Sequence, residues 1–308
     1  MIQEVTGNRN ISFLSAGFSG IPHMRYYYIF LFIAYFISFL GNSCLMFVII
    51  TDRNLHTPKY IAVFNLSLTD IRESTAVIPQ LLDAFLFGNH RISYGLCMSN
   101  MLFVSVQSLT LTILSLDRLV AICLPLRYHV IVTHRSMLVM IGASWTLALM
   151  QTITAAVFMT RLSFCRAGVI IIRFCNRGSV FLSYVIISVL FQVIIMFPVF
   201  FIIFSYTCIA VTLFRITTPQ DRQRATKTCA AHLILVAVFY VPICLTYVFQ
   251  VLVSINTTIV ILSLTSVLPQ MLNPIIYTFM TKEFMASVKR LVKKRIMFSS
   301  RIPSVFQL

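Results

Sequence analysis

Seven stretches of this chain are each long and apolar enough to cross a bilayer, whose hydrocarbon core of about 30 Å takes roughly 20 residues of helix. They run at about 26–50, 60–87, 96–122, 137–158, 180–213, 228–250 and 259–279. Lipid offers no hydrogen bonds to a bare backbone, so a spanning segment must be a helix or part of a closed barrel. None of the stretches shows the period-two alternation of barrel strands, which leaves helices. A mean hydropathy of +0.92, with 59% hydrophobic and only 10% charged residues, excludes an ordinary soluble domain and a disordered chain. The second stretch is the least apolar, because it holds Asp70, Arg72, Glu73 and Asp83. The fold class expected is therefore an all-α membrane protein, a seven-transmembrane helix bundle.

The connections are short, at 51–59, 88–95, 123–136 and 251–258, and the longest, about 159–179, carries Cys165 and Cys175. No Gly/Ser-rich or Pro-rich linker separates a second domain, and no repeat relates the spans. Three regions follow: an outer N-terminal segment 1–25, the seven-span domain 26–279, and an inner tail 280–308. Within the tail, residues 282–295 place Phe284, Val288, Leu291 and Val292 at helical spacing among Lys and Arg. That pattern reads as a short amphipathic C-terminal helix lying on lipid at the membrane surface.

The formal net charge of +16 could signal nucleic acid, but the spans divide it between two faces. All six Lys (Lys59, Lys227, Lys282, Lys289, Lys293 and Lys294) fall on one side, together with ten of the Arg. Short loops rich in Lys and Arg stay cytoplasmic. The protein is thus expected to be multi-pass in the plasma membrane with its N-terminus extracellular and no nucleic-acid partner. The first 25 residues lack the basic start, apolar core and small-residue cleavage site of a removable signal peptide, so span one is expected to act as a signal-anchor. Asn10-Ile11-Ser12 is a glycosylation acceptor on the outer side. Asn65-Leu66-Ser67 lies inside a span and is expected to be silent.

Of eight cysteines, Cys44, Cys123, Cys208, Cys229 and Cys244 lie in spans or near the inner face, where thiols stay reduced and pack as small apolar groups. Cys97, Cys165 and Cys175 lie outside, and three cannot all pair with one another. Cys97–Cys175 is the pairing expected, tying the long loop over the mouth of the bundle. No Cys/His spacing matches a zinc site, and no cofactor is indicated. A nucleophile–base pair and a phosphate loop are also absent from the sequence, so an enzyme is not expected. A transporter would show broken helices and related halves, and a channel would show rings of charge or carbonyls. Neither pattern is present.

Motifs then fall in order on the spans: Gly41-Asn42 in the first; Leu66-Ser67-Leu68-Thr69-Asp70 in the second; Asp117-Arg118-Leu119-Val120-Ala121-Ile122-Cys123-Leu124-Pro125-Leu126-Arg127-Tyr128 closing the third; Trp145 in the fourth; Pro198 and Ser205-Tyr206 in the fifth; Phe239-Tyr240-Val241-Pro242 in the sixth; Pro269 and Asn273-Pro274-Ile275-Ile276-Tyr277 in the seventh. Over nearly its whole length the chain resembles the rhodopsin-like G-protein-coupled receptors. Within them it resembles the odorant receptors, through Leu55-His56-Thr57-Pro58-Lys59-Tyr60, Lys227-Thr228-Cys229-Ala230-Ala231-His232-Leu233 and Pro269-Gln270-Met271-Leu272-Asn273-Pro274. In detail it is most similar to fish members. It departs from the pattern at Leu119, where the family has Tyr after Asp-Arg, at Leu116, and at Gln107, where most mammalian relatives have Glu. A third loop cysteine after Cys175 is also missing.

The resemblance implies an odorant-binding receptor that activates a stimulatory heterotrimeric G protein, in the cilia of olfactory neurons. A rhodopsin-like chemoreceptor of another tissue is the alternative. By resemblance, Asn42, Asp70 and Asn273 form a polar core that holds a sodium ion near Asp70. Asp117 and Arg118 keep the resting state closed, and on activation Arg118 turns toward Tyr206 and Tyr277. His232, Asn273 and Pro274 belong to the same switch. Pro198, Pro242 and Pro274 free backbone carbonyls and kink their helices. For Glu73 two readings stay open, the ligand cavity or pairing with a neighbouring cation such as Arg72 through rotamer choice. Ligand-lining residues carried over from the receptor pattern are Asn100, Met101, Val104, Ser105, Ser108, Leu190, Ile194, Tyr240, Ile243, Cys244, Tyr247, Ser263 and Ser266. Asn100 stands where amine receptors carry Asp, which disfavours a cationic amine. Arg161, Arg166, Arg173 and Arg177 make the outer loop cationic, which leaves two readings, first a simply solvated loop and second the steering of anionic odorants.

Overall fold

The computed structural model describes residues 12–14, 24–86, 91–163, 181–215, 219–248, 255–280 and 282–299. Seven long helices and a shorter terminal one follow each other: α1 (Met24–Thr51), α2 (Pro58–Leu86), α3 (Tyr94–Cys123), a single turn α4 (Tyr128–Ile131), α5 (His134–Ser163), α6 (Phe181–Arg215), α7 (Pro219–Val248), α8 (Ile255–Met280) and α9 (Lys282–Ser299). Their bounds lie close to the spans read from hydropathy. Among the described residues five helical stretches are long and apolar enough to cross a membrane: Ile29–Thr51, Gly95–Cys123, His134–Val157, Ile195–Arg215 and Ala225–Leu245. Helices α2 and α8 are not among them, and α2 carries Asp70, Arg72 and Glu73 within about one turn. Both nevertheless pack into the same bundle, against α1 and against each other.

Two features go beyond the expected helices. Strands β1 (Ser12–Leu14) and β2 (Arg91–Ser93) pair antiparallel with Phe13 opposite Ile92. The segment after α3 is also not an open loop, because it makes a 3-10 turn over Pro125–Arg127 and then α4.

The bundle is apolar outside and partly polar inside. On α6 the large side chains Phe197, Phe200, Ile203, Phe204 and Phe214 face outward. Meanwhile Asn42, Asp70, Glu73, Gln107, Gln270 and Asn273 are buried. A helix that is apolar all round belongs in lipid, because water would penalise its outer face. The apolar core gathers Leu45, Leu66, Leu111, Leu114, Ile202 and Phe239 from five helices.

One contact sets the approach of α1 to α8. Pro274 has no N–H, so the carbonyl of Gln270, four residues earlier, loses its helical donor. The Asn42 side-chain amide of α1 supplies the missing bond, with Nδ2 2.9 Å from that carbonyl. Gly41 allows this closeness: a Cβ there would stand 2.8 Å from Cγ of Pro274. Asn65 ties three further helices, donating to Thr110 Oγ1 at 2.9 Å and accepting from Trp145 Nε1 at 2.9 Å. Buried and fully engaged, Asn65 is no glycan acceptor.

Candidate functional site

The first cluster lies in the middle of the bundle. Asp70 is fully buried, and its two carboxylate oxygens accept from neutral amides. Gln107 Nε2 of α3 donates at 2.5 Å and Asn273 Nδ2 of α8 at 2.7 Å. Asn42 joins through the Gln270 backbone, so the three residues of the expected polar core do meet across α1, α2 and α8. Gln107 is a full member of the cluster. A carboxylate in its place would face Asp70 as a like charge, whereas its amide N–H completes the carboxylate's hydrogen bonding. Glu73 is equally buried, yet its Oε2 has no hydrogen-bond partner among the described residues. Arg72 is exposed, and no ion pair joins the two among the described residues. The pairing reading of Glu73 is thus not what the structure shows.

The second cluster lies at the Lys-rich end of α3. Asp117 is buried, and a guanidinium nitrogen of Arg118 stands 3.3 Å from Asp117 Oδ2. That oxygen makes no hydrogen bond among the described residues, and the contact is an ion pair without directional geometry. The directional bond comes from Tyr128 at the start of α4, whose hydroxyl donates to Asp117 Oδ1 at 2.7 Å. Burial, followed by the nearby Asp117 charge and this bond, pushes the Tyr128 hydroxyl well above its ordinary pKa, so it stays a donor. Tyr128 was visible in the motif but had no role there. Only the turn Pro125–Arg127 folds it back onto Asp117.

Facing this cluster, Tyr206 of α6 and His232 of α7 are hydrogen-bonded through the hydroxyl and Nδ1 at 2.6 Å. Their rings stack with centroids 5.9 Å apart. His232 Nε2 has no partner among the described residues. The pair joins α6 to α7 at the end where the switch residues were expected, and Tyr277 packs against the adjoining core.

Helix α9 is held by two ion pairs, one to the start of α2 and one to the turn after α1. Lys59 Nζ lies 2.7 Å from Glu283 Oε2, which also accepts from the Tyr60 hydroxyl at 3.1 Å. Arg290 lies 3.2 Å from Asp52 Oδ2. Asp52 in turn accepts from the backbone of Asn54 at 3.1 Å and caps the 3-10 turn. Burial pushes the Asp52 carboxyl up, but hydrogen bonds from Asn54 and Ser287 and the Arg290 charge outweigh it and hold the carboxyl below its usual value. Glu283 behaves alike: burial raises it, and Lys59, Tyr60 and Arg118 bring it lower on balance. Phe284, Val288 and Leu291 turn toward the core, while Val292 of the same pattern is exposed.

Of the ligand-lining candidates, Asn100, Met101, Val104, Ser105 and Ser108 share α3, and Tyr240, Ile243 and Cys244 share α7. Ser108 and Tyr240 are hydrogen-bonded to each other at 2.7 Å between hydroxyls. Ser105 donates to Gln151 Oε1 of α5 at 2.9 Å, a partner the sequence reading did not single out. Asn100 Oδ1 and Gln151 Nε2 remain without partners among the described residues. Ser266 is on α8 and half-buried. The side chains of Leu190, Ile194, Tyr247 and Ser263 lie outside the described residues, as do Asn10 and Cys175. Cys97, at the start of α3, is buried and disulfide-bonded.

A helical bundle with lipid-suited outer faces and buried polar clusters is a membrane protein, and comparison with known sequences gives its class. The sequence profile of the family described as "Olfactory receptor" matches residues 31–295. The chain belongs to the olfactory receptor family, whose members are non-enzymatic G-protein-coupled receptors. It is 33% identical over 305 residues to human olfactory receptor 13C2, covering 92% of this chain and 96% of that protein. It is 31% identical to human olfactory receptor 1J2, over 93% of this chain and 96% of the relative. It is also 29% identical to olfactory receptor 1D2 of Gorilla gorilla gorilla, over 91% and 94%.

Proposed function

We propose that the chain is an odorant receptor of the plasma membrane that crosses the bilayer seven times. Its N-terminus is extracellular, and the Lys-rich end, with α9 lying on lipid, is cytoplasmic. Odorant binds in the outer half between α3, α6, α7 and α8 and shifts the bundle toward a state that activates a stimulatory G protein. The observation that carries this reading is the cluster at the inner end of α3. There a buried acid, Asp117, holds Arg118 through an ion pair lacking hydrogen-bond geometry and is itself held by Tyr128. Such an arrangement is closed at rest and can release Arg118 toward Tyr206, His232 and Tyr277 when α7 moves.

The same reading places the protein in the cilia of olfactory neurons, with a glycan on Asn10 and a Cys97–Cys175 disulfide holding the outer loop. A sodium ion near Asp70 is part of the proposal. Two buried carboxylates in α2, with no Lys or Arg paired to them among the described residues, favour a counter-ion there.

The test is a cyclic AMP reporter in cells expressing the chain, challenged with neutral and anionic odorant panels with and without the stimulatory G protein. A ligand-dependent rise that requires the G protein supports the reading. A ligand-dependent current that persists without the G protein contradicts it. Responses confined to neutral odorants would remove any steering role for the outer-loop Arg residues.

A further inference from the structure

Asp52, Asp117 and Glu283, at the Lys-rich end of the bundle, each have a cation already: Arg290, Arg118 and Lys59. Two other cations there are left over. Arg53 opens the 3-10 turn Arg53–Leu55 after α1, and Arg135 lies in the first turn of α5. Both are exposed, and neither makes an ion pair among the described residues.

One hydrogen bond brings their two segments together. His134, next to Arg135, has its Nε2 2.9 Å from the carbonyl of His56. A carbonyl only accepts, so this ring carries its proton on Nε2. The His56 backbone N–H in turn donates to the Arg53 carbonyl at 3.2 Å. The turn after α1 is thereby tied to the start of α5, with α2 packed against both helices. The first turn of α5 needs no outside partner, because Thr133 and Ser136 bond each other's backbone N–H groups. What the corner lacks is a counter-charge.

Apolar side chains adjoin it. Ile50 precedes Arg53 by three residues and Leu138 follows Arg135 by three, and both are exposed. On α5 that spacing puts Leu138 and Arg135 on one side of the helix. The two guanidiniums therefore stand where α1 and α5 leave hydrocarbon, at the level of lipid headgroups. Each guanidinium can grip a phosphate with two parallel hydrogen bonds. Two of them, with exposed apolar side chains beside them, suit a ligand that carries several phosphates and acyl chains.

We infer that Arg53 and Arg135, held together by the His134–His56 bond, bind the headgroup of a phosphoinositide with more than one phosphate monoester, at the edge of the bundle between α1, α2 and α5. The inference rests on the proposed reading only in taking the Lys-rich end as the inner face. It needs neither odorant nor G protein, and its test exposes both faces, so its failure would leave the receptor reading untouched.

The purified full chain in detergent micelles is titrated into fluorophore-labelled phosphatidylinositol bisphosphate, and anisotropy is followed. The expected result is saturable binding that the unlabelled lipid displaces and that phosphatidylserine at equal total charge does not. Soluble inositol trisphosphate, which lacks the chains, should displace it far less well. Arg53→Gln and Arg135→Gln should each weaken binding about tenfold, the loss of one hydrogen bond to a charged group. His134→Leu keeps both cations and cuts the tie, and should weaken binding as well. Arg222→Gln, which removes an exposed cation of α7, should leave it unchanged. No saturable binding by the wild type would overturn the inference. Equal displacement by phosphatidylserine, or a loss in Arg222→Gln as large as in the other two Arg variants, would also overturn it, since either marks general attraction to a basic face. Displacement by inositol trisphosphate as effective as by the lipid would overturn the lipid assignment in favour of a soluble phosphate.

Discussion

The Tyr128 hydroxyl donates to Asp117 at 2.7 Å, and this is the directional hydrogen bond that Asp117 receives at the inner end of α3, its contact with Arg118 being ionic at 3.3 Å. The short turn after α3 is therefore part of the closed state. A hydrogen bond to a charged group contributes about 1.5–3 kcal/mol. Tyr128→Phe removes the donor and keeps the ring, so at the lower end of that range the resting equilibrium should shift roughly tenfold. Basal cyclic AMP normalised to surface expression is expected to rise. Unchanged basal signalling would show that Tyr128 does not hold the switch.

Asn42 replaces the helical donor that Pro274 cannot provide to Gln270. Asn42→Leu would bury that carbonyl unpaired, at a cost of about 1–3 kcal/mol. Surface expression and the thermal midpoint in nanodiscs should both fall. Gly41→Ala is expected to act on the same joint from the other side, by forcing a Cβ onto Pro274. It should lower the midpoint without touching a polar contact.

Docking of α9 should depend on pH. Asp52 and Glu283 both have carboxyls held below their ordinary values in the folded protein. The unfolded or undocked chain then binds protons more readily, so the contribution of these pairs is present above the ordinary carboxylate range. It is lost as pH falls through the lower folded values, below about pH 4. A fluorophore on α9 should report docking that is constant from neutral to mildly acidic pH and loosens only below that point. Lys59→Met should loosen α9 above that point and make no difference below it, where Glu283 is already protonated. Because Glu283 is largely exposed, that effect is expected to be small.

How far the sequence carried can be judged residue by residue. The helices were legible because lipid demands long apolar runs, and Pro58 marks the start of α2 two residues before the hydropathy limit, whereas α7 begins at Pro219, nine residues before its apolar run, because its first turns are polar and charged. Asn42, Asp70 and Asn273 were legible as polar residues inside such runs, where burial is costly. The partners were not. Gln107 read as a departure and proved to be a donor to Asp70. Gln151 sits on an outwardly apolar helix and gave no signal until Ser105 was placed beside it. Tyr128 and Glu283 act across a turn or from another helix, at distances along the chain that no periodicity encodes. The strand pair of Ser12–Leu14 with Arg91–Ser93 is too short for a two-residue alternation to stand out.

The central claim is that Arg118, held by Asp117 at rest, is what the protein turns toward its G protein. The measurement that tests it most directly is odorant-driven cyclic AMP in Arg118→Ala cells set beside wild type, with receptor at the surface counted in both. The account predicts that the variant reaches the surface and the odorant response is abolished. A normal response from Arg118→Ala would contradict it and remove this residue from the mechanism.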